Sequence, residues 1–224
     1  GYTPASLRNF VDSAGVAKRD NIIDMSLLEH SIREDLNVKS PRVMAVLNPI
    51  KLTISNYPDG QEEFLEGEIN PEQLGLGTRK IPFSKNIFIE REDFRESANK
   101  KFFRLTLEKE VRLKNAYIIK GESVIKDKEG NITEIICTYD PESKSGSGSE
   151  ASMRKVKGTL HWVSQQHAFS AEVRLYDRLF QVSSPDQDKL VDFKSHLNSD
   201  SLSIITAFVE PSLKGAKDFE NYQF

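Results

Sequence analysis

A chain of 224 residues, 38% hydrophobic and 29% charged, is long enough for one large domain or two small ones with sizeable cores, and too apolar to be disordered. No apolar run approaches the roughly 20 residues that a membrane helix needs. The formal net charge of −3 excludes a uniformly basic nucleic-acid binder, so any RNA contact has to come from local clustering of charge.

The first residues, Gly1-Tyr2-Thr3-Pro4, carry neither an initiator methionine nor the basic-then-apolar layout of a signal peptide, so the chain is expected to begin inside a longer protein. From residue 3 to about 36, Leu7, Phe10 and Val11, then Leu28, Ile32 and Leu36, recur at helical spacing. Thr3 can cap one helix with Pro4 at its first position, Gly15 can end it, and Ser26-Leu27-Leu28-Glu29 fits a capping box for a second. After Pro41 the period changes to two: Lys51 to Ser55 and Phe103 to Leu107 alternate apolar with polar residues, as half-buried strands do. Further strands are expected at Asn86 to Glu90, Val111 to Lys120, Ile132 to Thr138, Gly158 to Val163, Ala171 to Val182 and Leu202 to Val209, with a hairpin turn at Lys128-Glu129-Gly130-Asn131. Acidic Tyr57 to Gly77 and Ser/Gly-rich Pro141 to Ala151 read as exposed loops, and no fixed-period repeat interrupts the pattern. The expected fold is mainly β with an N-terminal helical segment, its strands closing into one or two barrels. The single cysteine, Cys137, sits in a strand pattern; it cannot form an internal disulfide and fits a buried thiol in a reducing, cytoplasmic compartment.

Charge clusters where the strands are expected. Lys100 to Lys120 holds seven Lys/Arg against Glu108 and Glu110, a local balance of +5, whereas acids gather from Asp59 to Glu72. If Phe103, Leu105 and Leu107 face a core, alternation turns Arg104 outward, and if Val111 and Leu113 face in, Arg112 and Lys114 project from the opposite side, giving a row of cations on one sheet face. The residues alone leave open whether that row is a solvated face or an RNA surface, and whether Phe102, Phe103 and Tyr117 stack bases or fill the core. His30, His161, His167 and His196 fall in no metal-ligand spacing, and there is no phosphate loop, nucleophile elbow or dinucleotide fingerprint, so no autonomous active site is expected.

Several strings go beyond such patterns: Lys18-Arg19-Asp20-Asn21, Ile32 to Asn37, Pro41-Arg42-Val43-Met44-Ala45-Val46, Arg79-Lys80-Ile81-Pro82-Phe83-Ser84, Ile89 to Arg95, Glu110 to Tyr117, Lys155-Val156-Lys157-Gly158, His161-Trp162-Val163-Ser164 and Glu172 to Phe180. Together with Gly1-Tyr2-Thr3-Pro4 they resemble, collinearly, the C-terminal region of glutaminyl-tRNA synthetases. The resemblance is weakest at 58–76, 141–153 and 183–200. It implies a helical connector over 1–40 and, over 41–224, two antiparallel, ribosomal-protein-like anticodon-binding β-barrels: a proximal one of about 41–57 plus 155–224 and a distal one of about 78–154. It also implies a parent class I enzyme that charges tRNA(Gln) with glutamine, with ATP and Mg bound by a catalytic domain preceding Gly1. Both class I signature strings are absent here, so no cofactor is expected in this chain, and the family's last strand is expected past Phe224.

The resemblance assigns residues as well. Arg42 and Gln223 match those that hold the middle anticodon base, Arg104 the third base, and Arg112 with Lys114 the first. Lys at 114 lacks the planar fork that Arg gives some relatives. Phe103 stands where some relatives have a basic residue, so that contact is absent or replaced by stacking. Lys18 and Arg19 match a turn along the inside of the tRNA elbow, and Asn37 a position beside the base following the anticodon. The implied partners are the tRNA(Gln) anticodon stem-loop and the catalytic domain, with no membrane and a monomeric protein. Two other readings use the same features: the equivalent region of an archaeal or eukaryotic-type glutamyl-tRNA synthetase, whose tRNA shares the middle base, and a ribosomal-RNA-binding barrel protein. The helical start and paired barrels argue against the latter, and the longer string set favours the glutaminyl form.

Overall fold

The computed structural model describes residues 2–224, so Gly1 of the first string lies outside the described residues. Two helices open the chain, α1 (Pro4–Ala14) and α2 (Met25–Lys39). The Thr3 hydroxyl accepts from the Ser6 N–H at 3.1 Å and donates to Asp35 on α2 at 2.6 Å, so one side chain caps α1 and ties it to its neighbour. The second helix starts two residues before the capping-box reading: the Asp24 carboxylate accepts from the Ser26 N–H at 2.7 Å and takes the cap position in place of Ser26.

The rest is β-rich. Strands β1 (Ala45–Val46), β2 (Pro49–Ile54), β3 (Glu62–Glu68), β4 (Thr78–Ser84), β5 (Asn86–Glu90), β6 (Glu110–Leu113), β7 (Ile118–Lys126) and β8 (Ile132–Asp140) precede a short helix α3 (Glu150–Met153). They are followed by β9 (Thr159–Leu160), β10 (Val163–Ser164), β11 (Phe169–Tyr176) and β12 (Leu202–Val209). A seven-stranded sheet in the order β10-β5-β2-β8-β7-β6-β9 curls into a half-barrel, and β1-β12-β11 and β3-β4 form smaller sheets. Two ladders, β2–β8 and β6–β9, are parallel, each pair joined by a long excursion of chain, as parallel neighbours require. Thus β2 is hydrogen bonded to strands at 86–90 and 132–140 on its two sides.

Alternation is clean along β2, where Ile50, Leu52 and Ile54 are buried, and the core continues through Ile87, Ile89, Leu105, Leu113, Ile135 and Cys137. Burial pushes the Cys137 thiol far above its ordinary value. Phe83 sits between Tyr57, Tyr117 and Trp162 at centroid distances of 5.2, 5.4 and 5.0 Å. Burial and the adjacent Glu63 carboxylate, which accepts from both phenols, raise the Tyr57 and Tyr117 hydroxyls.

Five segments depart from the sequence reading. Gly158 to Val163 is not one strand but two short ones, β9 and β10, at opposite edges of the seven-stranded sheet. Phe103 to Leu107 is not a strand; only Leu105 and Leu107 make single bridges, to Phe94 and Gly121, Glu108 turns the chain at φ 61°, and without a ladder to fix alternation Phe103 is 47% exposed instead of facing the core. The 57–77 stretch contains β3, paired over seven residues with β4 although most of its side chains are acidic. Val111 to Lys120 is a hairpin rather than one strand, with Asn115 at φ 59° in the turn. The strand expected to reach Val182 ends at Tyr176.

Two backbones cross where only a missing Cβ allows it. A Cβ on Gly121 would stand 2.7 Å from the Thr106 carbonyl oxygen, and one on Gly158 would stand 2.5 Å from that of Phe103. Gly121→Ala is therefore expected to destabilise the fold by about 1–3 kcal/mol through overpacking, seen as a lower urea midpoint with an unchanged slope.

Candidate nucleic-acid interface

The end of α2, the entry to β1 and the last residues converge. Asn70, fully buried, donates to the carbonyls of Val38 and Ser40 at 2.8 and 2.9 Å and so satisfies the helix end. Arg42 and Gln223 form a parallel bridge, with the Val43 N–H donating to the Gln223 carbonyl at 2.9 Å and the Gln223 N–H to that of Pro41 at 3.0 Å. Bridged residues project to one side of the strands. One Arg42 nitrogen, Nη2, donates to the backbone and side-chain oxygens of Asn37 at 3.0 and 2.7 Å. By contrast, Arg42 Nε and Gln223 Oε1 are buried with no hydrogen-bond partner. Unpaired buried donors and acceptors are costly, and two of them stand at this one bridge.

Lys114 shares this neighbourhood. It lies just past β6, where its N–H donates to Leu160 and its carbonyl accepts from the Trp162 indole at 3.0 Å, so a core residue sets its backbone. Desolvation, and then the positive charges of Arg79 and Arg42, hold its ammonium below the ordinary lysine value, with Glu210 acting in the opposite direction. Below lies a buried ion pair. The Glu210 carboxylate accepts from Arg79 Nε and Nη2 at 2.7 and 3.1 Å and from the Met44 N–H at 2.9 Å, with the two side chains 3% and 11% exposed. Sequence reasoning missed Arg79 and Glu210 as parts of this floor; Arg79 lay in a quoted string, but nothing marked its partner across 131 positions.

Arg104 is elsewhere. Half exposed, its Nε donates to Asp93 at 2.7 Å, and it lines a cavity of about 270 Å³ with Lys100, Phe103, Lys109 and Lys157. Arg112 is different again: its Nη1 donates to the Ser143 carbonyl and Ser145 hydroxyl at 2.9 and 3.1 Å, and Nη2 to the carbonyls of Ser152 and Arg154 at 2.8 and 3.3 Å. Burial and the neighbouring Arg154 charge weaken its hold on its proton, and the guanidinium fastens the 143–154 segment to β6. The single row of cations expected from alternation is therefore not formed, because Arg104 lies outside any strand and Arg112 and Lys114 face different neighbours. Lys18 and Arg19 are exposed between α1 and α2. So the structure brings together Asn37, Arg42 and Gln223, places Lys114 within electrostatic reach of Arg42, and leaves Arg104, Arg112 and the pair Lys18 and Arg19 in three other settings. Among the described residues no cluster of His, Cys, Asp and Glu is suited to a metal ion, and no helix is long and apolar enough to cross a membrane.

Residues 40–140 match one family model described as "tRNA synthetases class I (E and Q), anti-codon binding domain", and residues 159–224 match a second with the same description. The chain is 52% identical over 225 residues to a glutamine–tRNA ligase of Rhodopirellula baltica, covering all of this chain and 37% of that protein. It is 52% identical to one of Vibrio parahaemolyticus and 51% identical to one of Clostridium perfringens, in each case over all of this chain and 40% of the relative. The chain thus spans about two fifths of the length of these relatives, and the two matched segments contain Arg42, Lys114 and Gln223. The chain belongs to the anticodon-binding family of the class I glutamyl and glutaminyl tRNA synthetases.

Proposed function

We propose that this chain reads the anticodon for a glutamine–tRNA ligase, a protein that charges tRNA(Gln) with glutamine using ATP. The reading rests on the two unsatisfied atoms at the Arg42–Gln223 bridge. Arg42 Nε offers a donor and Gln223 Oε1 an acceptor, and the Watson–Crick edge of an unpaired uracil offers the complementary carbonyl and N3–H. The middle base of a glutamine anticodon is a uracil. In this scheme Arg42 and Gln223 hold that base, Lys114 the first base or its phosphate, and Arg104 the third. Asn37 fixes the Arg42 fork and lies beside the following base. Arg112 reaches RNA by exchanging some of its contacts with the 143–154 segment, and Lys18 and Arg19 meet the tRNA backbone as exposed charges. ATP and Mg belong to the parent's catalytic domain, and the parent is a cytoplasmic monomer. The two-barrel division at 41–57 plus 155–224 and 78–154 is part of the same proposal.

Titration of the chain, at fixed low salt, with a glutamine tRNA transcript and with one altered only at the middle anticodon base tests the reading. Tighter binding to the unaltered transcript is expected. Equal binding would reduce the surface to a basic patch and remove the Arg42 and Gln223 assignments.

A further inference from the structure

The cavity beside Arg104 has an apolar wall as well as cations. Its lining includes Lys100, Arg104, Lys109 and Lys157 against a single acid, Glu110, which is itself paired with Arg154 at 3.1 Å. Phe103 lies at its edge 47% exposed, while the neighbouring Leu105 is fully buried and fills the core, so packing does not account for the Phe103 ring. The Lys157 ammonium stands 5.5 Å from the centre of that ring, within the range of a cation–π contact. Two distant stretches of chain are fixed against each other here, because Gly158 lets the backbone press on the Phe103 carbonyl where a Cβ would approach to 2.5 Å. The ring and the lysine are thus held facing one another by the fold.

A half-exposed aromatic face at a cationic cavity is how proteins hold unpaired bases: the ring takes the base by stacking and the cations take the phosphates. We propose that Phe103 and Lys157 form the stacking half of the Arg104 pocket. An unpaired nucleobase replaces the Lys157 ammonium over the Phe103 ring, and the ammonium moves to the adjoining phosphate. The cation covers the ring in the free protein and so keeps an exposed aromatic face from being left to water. Phe103 then sets affinity by stacking, Arg104 sets base identity by hydrogen bonding, and Lys157 contributes charge. This rests on the reading of the surface as an anticodon binder.

The test uses the whole chain with a glutamine-tRNA anticodon stem-loop RNA, the same hairpin with an abasic site at the third anticodon position, and the hairpin with that base changed. Phe103→Leu is expected to weaken binding to the intact hairpin about five- to a hundredfold, the range for losing one stacked base, and to leave binding to the abasic hairpin unchanged. Phe103→Tyr should retain wild-type affinity. Lys157→Gln should lower the slope of log affinity against log salt by about one while keeping the ratio of intact to abasic binding. Unchanged affinity of Phe103→Leu for the intact hairpin would overturn the proposal. If Arg104→Gln loses preference for the third base in that case, the Arg104 assignment survives and only the stacking role is wrong. If Arg104→Gln loses no preference either, the reading of the pocket fails, and the proposal fails with it.

Discussion

Arg42→Lys is expected to lose most of the preference for the unaltered middle base, a change of about 1–3 kcal/mol in discrimination by analogy with bidentate base readout. The chemistry is specific to the fork. A lysine ammonium can still reach the Asn37 oxygens that Arg42 Nη2 meets at 3.0 and 2.7 Å, so the link to α2 is kept. It supplies no second donor at the position of the buried, unpartnered Nε, and the partner base loses one of its two bonds. Fluorescence titration with both transcripts checks this. Affinity for the unaltered RNA should fall toward that for the altered one, and the urea midpoint should stay close to wild type. An equal fall for both RNAs would show that Arg42 acts only as a charge.

The largest loss of stability is expected at Glu210. Replacing it with Ala leaves the Arg79 guanidinium, 11% exposed, without its counterion, and the Met44 N–H without its acceptor. Breaking one side of a buried ion pair typically costs about 3–5 kcal/mol, because the remaining charge is left desolvated. Urea denaturation measures the cost directly. A double replacement, Arg79→Met with Glu210→Leu, should recover part of it, since neither residue then carries an uncompensated charge. A loss below about 1 kcal/mol for Glu210→Ala would mean that another acceptor replaces the carboxylate, and would place the floor under Lys114 elsewhere.

How much of this was legible in the sequence depended on the range of the interaction. The α1 cap at Thr3 and the turn at Lys128 to Asn131 were read directly, because local backbone chemistry decides them. The alternation along β2 gave a strand because both of its edges are paired. The same alternation at Phe103 to Leu107 did not, since its neighbours offer only single bridges and Glu108 turns the chain away. In β3 the reverse happened: acidic residues masked a strand whose inward positions are Leu65 and Gly67, and Gly67 fits only because its missing Cβ makes room for Ile81 and Asn115. At the candidate site the family resemblance supplied Arg42, Gln223 and Lys114, but not the contacts around them. Those contacts, such as Trp162 to the Lys114 carbonyl and Glu210 to Arg79, join segments far apart in sequence and leave no periodic trace.

The bridge between Arg42 and Gln223 makes the proposed base site depend on an unusually non-local closure. Its two walls come from residues 41–43 and from residue 223, and two backbone bonds hold them together. The 214–220 stretch is exposed, while the hydrophobic core and the side chains packed against it end at Phe208. A single proteolytic nick in 214–220 would therefore remove one wall of the site and leave the core intact. On the proposed reading such a protein would look folded by spectroscopy and yet lose its preference for the middle base. Contacts this distant in sequence also tend to form last during folding, so competence to discriminate should follow the acquisition of structure as a separate, later event.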